Sequence, residues 1–251
     1  MSYRGYGLQV TGYGLRIMYL FYAPDIKDSL TLPEEESNHC VQVLRRTVGD
    51  EILVTDGVGT LYRCVVTNPH RKHCEVRIAS QETPEALHEG WVHVLLAPTK
   101  NIDRTEWAIE KCVEMGADEI TLLLCDHSER KTVNIDRLQK IVVSAAKQSL
   151  KTRFPMLHPL TKMTDLQLDG DRFIAHCIEG YKATDDKRAL KDKIVRGHQT
   201  AVLIGPEGDF SPEEVNWALQ HGYEPVSLGA ARLRTETAAV VACHTAVLTN
   251  E

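Results

Sequence analysis

The sequence predicts an α/β fold built on a parallel sheet and preceded by a small β-rich domain. Three observations carry that prediction. From Trp91 onward apolar runs alternate with helical stretches, the pattern of strands that helices bury on both faces. Before Trp91, short β-rich runs are split by Asp56-Gly57-Val58-Gly59 and Asn68-Pro69, the turn spacing of a small antiparallel sheet or barrel. Between the two lies Gln81-Glu82-Thr83-Pro84-Glu85, polar and proline-containing as linkers are. The boundaries follow as residues 1–17 outside the fold, 18–84 for the first domain and 85–251 for the second.

The opening stretch, Met1 to Arg16, is rich in Gly and Tyr and precedes a second methionine, Met18. It reads as an extension, with Met18 a candidate natural start. A strand is predicted at Tyr19–Tyr22. Thr31 and Glu34, three apart with Pro33 between them, suit a capping box. The helix they open would carry His39, Cys40, Val41 and Leu44 inward and end near Arg46, before the turn Val48-Gly49-Asp50. Strands are predicted at Glu51–Thr55, Leu61–Thr67 and Cys74–Ser80. In the second domain the strands are Val92–Ala97, Ile120–Cys125, Phe173–Ile178, Ala201–Ile204 and Pro225–Leu228. The helices between them are Arg104–Met115, Ile135–Leu150, Asp185–Val195, Pro212–His221 and Thr237–Leu248. Gly116 and Gly222 fall where a helix end favours positive φ.

Composition narrows the classes. The 251 residues are enough to bury real cores. Seven cysteines form an odd set without a C-x-x-C pair, which argues against a disulfide framework or zinc ribbon and fits a reducing cytosol. No apolar run approaches the ~18 residues that span a bilayer. His39, His93, His176 and His244 are scattered, so no metal is expected. Cys112 and Cys243 sit among apolar helix residues and read as inert core thiols. The formal net charge is -6, yet Arg130 to Lys162 holds eight basic residues against one acid. That strip is either a solvated helix face or a phosphate-tracking surface.

Two stretches carry chemistry. In the first, the apolar run Ala201–Ile204 leads into Gly205-Pro206-Glu207-Gly208, and Ser211, Pro212 and Glu214 complete a capping box for the next helix. Ligands of open α/β sheets bind at such strand ends, where glycines permit close backbone approach. Neither a dinucleotide fingerprint nor a P-loop is present. An acid stands where a phosphate would lie, which suits an uncharged ribose or adenine edge; the plain alternative is an ordinary β-to-α turn. In the second stretch, Leu228-Gly229 ends a strand and Arg232-Leu233-Arg234-Thr235-Glu236-Thr237 precedes a nearly all-apolar helix. Caps account for Thr235 and Glu236 but leave both arginines without a purpose, whereas a functional loop accounts for all of them.

Leu203–Glu214, together with Leu228-Gly229 and Leu233–Ala238, resembles the two signature motifs of the 16S rRNA (uracil-N3)-methyltransferase family, called RsmE, in the SPOUT class. The likeness extends to His39-Cys40, Val43-Leu44-Arg45, Gly49-Asp50 and Asp56-Gly57, to Glu110–Gly116 and to Ala145–Ser149, covering the chain from Met18 onward. The resemblance implies a PUA-like β-barrel for RNA capture, then a SPOUT domain whose C-terminal chain forms a trefoil knot. It also implies a homodimer acting on 16S rRNA of the small ribosomal subunit. It places S-adenosylmethionine in the knot, held by Leu203, Ile204, Gly205, Glu207, Gly208, Leu228, Gly229, Leu233, Arg234 and Thr235, with Glu179 nearby. Two departures stand out: the first arginine of the last loop, Arg232, comes one place late, and Asp209 replaces a usual glycine. Arg234 is the expected catalytic group, because a rigid cationic fork can stabilise charge developing on a uracil carbonyl. Arg45, Arg46, Arg71, Lys147, Lys151 and Arg153 are the expected RNA contacts. Methylation of another RNA such as tRNA, or RNA binding without catalysis, are the other readings.

Overall fold

The computed structural model describes Tyr19–Cys177 and Lys187–Glu251; the expectations for residues 1–17 and for Glu179 lie outside those residues. The chain divides into two compact units. The first ends at Glu85 and also takes in Ala146–Phe154, and the second comprises Ala86–Ala145 and Pro155–Glu251.

The first unit contains β1 (Leu20–Tyr22), α1 (Ile26–Ser29), α2 (Glu34–Asn38), β2 (Glu51–Thr55), β3 (Leu61–Asn68) and β4 (Glu75–Glu82). Its sheet runs β1-β2-β3-β4, with β1 parallel to β2 and the other pairs antiparallel. Phe21, Ile26, Leu32, Cys40, Val54 and Val76 are among the residues that fill its core. The expected helix to Arg46 is instead the short α2 running into a π-helical turn, His39–Val43. Nor does Thr31 cap it: the N-cap is Pro33, without a side-chain bond. Thr31 Oγ1 donates to Ser29 O at 3.0 Å instead, the local competition that Ser and Thr offer to helix caps. Arg45, at φ 54, then turns the chain out of the helical path.

Ala146–Phe154 was expected with the second domain, but the first unit binds its backbone. Thr55 Oγ1 donates to Thr152 O at 2.9 Å, Gly59 N donates to the same oxygen at 3.0 Å, and Phe154 N donates to Gly57 O at 2.9 Å. Tyr22 and Phe154 pack ring against ring at 4.8 Å.

In the second unit, β5 (Trp91–Leu96), α3 (Ile102–Met115), β6 (Glu119–Leu124), α4 (Ile135–Gln148), β7 (Met156–Lys162) and β8 (Asp171–Ala175) come first. They are followed by β9 (Gln199–Ile204), α5 (Pro212–Gln220), β10 (Glu224–Val226) and α6 (Thr235–Asn250). The six strands lie in the order β10-β8-β9-β5-β6-β7, and every pairing is parallel. β7 is the strand the apolar pattern does not reveal. It carries Pro159 and pairs with β6 through a register irregularity, as expected of an edge strand. The helix expected at Asp185–Val195 is not seen over its described part, where Ala189 bridges to Ser227 and Leu190–Asp192 forms a 3-10 turn. Half of the residues of α6 are buried, and it packs on α3, β5 and β9, so its apolar sequence answers to core packing. Among the described residues no helix is long and apolar enough to cross a membrane.

Candidate functional site

Parallel strands present all their carboxyl ends along one edge, where α/β sheets bind ligands. A loop leaves that edge after each of the six strands. The loop after β9 is the most heavily fastened. Ser211 and Glu214 form the complete capping box at the start of α5, with Pro212 in its first turn, and Ser211 Oγ donates to Asp126 Oδ2 at 2.6 Å. Asp126 N donates to Glu214 Oε1 at 3.0 Å. His127 Nδ1 lies 3.1 Å from both Gly208 O and Asp209 O, and Glu207 Oε1 accepts from Lys100 N at 2.9 Å. Arg130 ties the β5 and β6 loops together by donating to Thr99 O and Lys100 O at 3.0 and 2.6 Å.

The two glycines of this loop serve close approach. A Cβ on Gly205 would stand 3.0 Å from the Phe210 ring, and one on Gly208 would stand 3.1 Å from His127 Cβ. Asp209, where the resembled family has glycine, has φ 63, which Asp tolerates better than most residues. Its carboxylate accepts from Cys177 N at 2.7 Å and from Phe210 N at 2.8 Å. It therefore fastens the end of β8 to the loop after β9.

The loop after β10 is held differently. Its backbone pairs at the base, where Ser227 N donates to Arg188 O and Leu190 N to Ser227 O, both at 3.0 Å. Beyond Ser227 Oγ, which bonds Gly229 N and O at 3.1 and 3.2 Å, the chain is open. Gly229 has φ 123, and a Cβ there would meet nothing within 4 Å. Arg232 and Arg234 are exposed, Leu228 and Leu233 half-buried, and Thr235 buried. Arg234 is the N-cap of α6 and makes no side-chain cap bond. Glu236 is not its partner: Glu236 Oε1 lies 3.8 Å from Arg104 Nε, and Glu236 Oε2 is buried without a hydrogen bond.

The basic residues expected to meet RNA all fall in the first unit, since Lys147, Lys151 and Arg153 lie within Ala146–Phe154. Arg45, Arg71 and Arg153 are exposed. Lys147 is engaged with Glu36 in a pair whose side chains are 22% and 11% exposed. Arg137 of the strip pairs with Glu106 at 2.6 Å. Part of the positive charge between Arg130 and Lys162 is thus used inside the fold. Asp126, His127, Lys100 and Arg130 carried no motif in the sequence; they are distant along the chain and meet only because parallel strands end side by side.

The second unit is a parallel α/β domain with a glycine loop strapped across its carboxyl edge, the place where such sheets bind ligands, and the first is a separate β unit. A family model described as an RNA methyltransferase domain matches residues 87–247, and one described as an RNA methyltransferase PUA domain matches residues 32–79. The chain belongs to the RNA methyltransferase family. It is similar to a Porphyromonas gingivalis protein described as a probable rRNA-methyltransferase, at 41% identity and TM-score 0.85 over 92% of this chain and 99% of that one. A Legionella pneumophila protein, solved with the bound cofactor SAM, is 26% identical with TM-score 0.78 over 91% and 96% of the two chains. The ribosomal RNA small subunit methyltransferase E of Mycobacterium bovis is 28% identical over 240 residues, 90% of each chain.

Proposed function

We propose that this chain transfers a methyl group from S-adenosylmethionine to N3 of a uridine in 16S rRNA of the small ribosomal subunit. The observation that carries the proposal is the fastened loop Gly205–Ser211 at the carboxyl edge of the sheet, within a region that matches an RNA methyltransferase domain. The residues present suit the cofactor. Gly205 and Gly208 let the loop pack closely on Phe210 and His127, Gly229 faces open space, and among the described residues buried polar atoms on His176 and Glu236 lack partners. Leu203, Ile204, Gly205, Glu207 and Gly208 would hold it from one side, and Leu228, Gly229, Leu233, Arg234 and Thr235 from the other. Bound S-adenosylmethionine supplies an electrophilic methyl on a sulfonium centre.

The chain's own task is to make a poor nucleophile competent. Uracil N3 carries a proton near neutral pH, and its loss leaves negative charge on the ring carbonyls. Arg234, exposed and without a cap bond in its own helix, offers a forked set of donors to such an oxygen. Arg45, Arg46, Arg71, Lys151 and Arg153 supply positive charge for the RNA backbone. A barrel-closed first domain, a trefoil knot, a homodimer and a cytoplasmic location belong to the same reading. The test is to incubate the protein with labelled S-adenosylmethionine and small subunits from a methylation-deficient strain, then map the product by mass spectrometry. A single N3-methyluridine in 16S rRNA is expected; label in tRNA, or none, would overturn the assignment.

A further inference from the structure

His176 directly follows β8 and is 7% exposed. It stands where three of the loops meet. Its neighbour Cys177 donates through N to Asp209 Oδ2 of the loop after β9. Lys187 Nζ lies 3.2 Å from His176 Nδ1 and donates to His176 O at 2.9 Å, and the next residue, Arg188, accepts from Ser227 N of the loop after β10. An ammonium only donates, so Nδ1 accepts from Lys187 and the ring proton resides on Nε2. That Nε2–H is buried and, among the described residues, bonds nothing. Burial and, secondarily, the charge of Lys187 hold the imidazole down to about 4, so the ring is a neutral, single donor at physiological pH.

An orphaned buried donor is destabilising and calls for an explanation. A core histidine fixed for stability would have both nitrogens bonded. His93 shows that arrangement in the same unit, with Nδ1 3.1 Å from Glu119 Oε2 and Nε2 2.8 Å from Thr121 Oγ1. We infer that His176 is a cofactor-binding residue whose Nε2–H donates to an oxygen or nitrogen acceptor of the bound cofactor, with Lys187 fixing the tautomer. This rests on the methyltransferase reading and adds to it one buried side-chain donor.

The experiment measures affinities of the wild-type chain, H176F and H176Q for S-adenosylhomocysteine and for 5′-methylthioadenosine, with melting temperatures of the ligand-free proteins. Phe fills the space without a donor, whereas the Gln amide places an N–H near the Nε2 position. H176F is expected to bind on the order of tenfold more weakly, the worth of one buried hydrogen bond, and H176Q within about threefold of wild type on the same basis. The ligand-free melting temperature of H176F is expected to be no lower than that of wild type, because Lys187 keeps its bond to His176 O. Wild-type affinity should stay level between pH 6 and 8, because a neutral donor does not titrate there. Weakening toward both ligands assigns the acceptor to the nucleoside, and weakening toward S-adenosylhomocysteine alone assigns it to the amino-acid moiety. Undiminished affinity in folded H176F overturns the inference, as does an equal loss in H176F and H176Q accompanied by lower melting temperatures. Failure of the wild-type chain to bind either ligand overturns the cofactor reading itself.

Discussion

The loops after β9 and β10 lie on the same edge of one sheet and are built on opposite plans. Between Gly205 and Ser211 nearly every polar group has a partner from another strand end: Glu207 with Lys100, Gly208 with His127, Asp209 with Cys177, Ser211 with Asp126. Between Gly229 and Arg234 the side chains other than the half-buried Leu233 face solvent, and α6 begins without a side-chain cap. The first loop is shaped before any ligand arrives, so its residues serve fold and binding together. The second keeps its charged groups for something outside the chain. Substitutions in the two loops should therefore separate stability from chemistry, and that contrast can be broken.

The largest effect is expected at Arg234. Arg234→Ala should lower single-turnover methylation by ~10²–10³, the usual loss of one charge-stabilising donor. Its melting temperature should hardly move, since surface side chains without partners contribute within about 0.5 kcal/mol. A lowered melting temperature with a normal single-turnover rate would place Arg234 among the structural residues and dissolve the contrast.

Gly205→Val tests the fastened loop. The new side chain would press on the Phe210 ring, already 3.0 Å from an ideal Cβ, and overpacking of this kind costs roughly 1–3 kcal/mol. Thermal stability and cofactor affinity should fall together. A variant that melts like wild type but loses the cofactor would show that Gly205 serves the ligand alone.

The same division between built-in and available charge applies in the first unit. Arg45, Arg71 and Arg153 are exposed, whereas Lys147 is engaged with Glu36. Replacing the three arginines by Gln should flatten the log–log salt dependence of RNA binding by roughly 0.7–0.9 for each phosphate no longer neutralised, with little change in stability. Lys147→Gln should instead lower the melting temperature, because it leaves a nearly buried carboxylate unpaired. An unchanged salt slope in the triple variant would return those arginines to a solvated surface.

These contrasts show where the sequence was informative. The strand, tight loop and capped helix around Gly205 could be read directly, because Ser211, Pro212 and Glu214 are a local code that the folded chain obeys. Five strands of the parallel sheet announced themselves as apolar runs, but β7, with Met156, His158 and Pro159 at the sheet edge, had no such run to announce it. The π-helical turn after Asn38 was hidden because its residues carry an ordinary helical pattern, and its buried residue, Cys40, packs into the core just as a helical one would. The straps on the first loop were unreadable for another reason. Asp126, His127 and Cys177 meet it through strand order, which no short spacing records.

The smallest effect is expected at Asp209, where two terms oppose each other. Its φ of 63 is a conformation that costs a non-glycine residue of order 1 kcal/mol, and Asp somewhat less. Against this stand the bonds from Cys177 N and Phe210 N, each worth about 0.5–1.5 kcal/mol net. Asp209→Gly relieves the backbone and loses both bonds, so the two terms largely offset and the net destabilisation should be about 0–2 kcal/mol by the same magnitudes. Asp209→Ala keeps the strain while losing the bonds and should be the less stable of the two. Because Cys177 follows His176, both variants should loosen the end of β8, and amide exchange at Cys177 should quicken more than exchange within β9. If Asp209→Ala matches wild type in melting temperature and in exchange at Cys177, the strap contributes nothing, and the first loop is held by Glu207, His127 and the capping box alone.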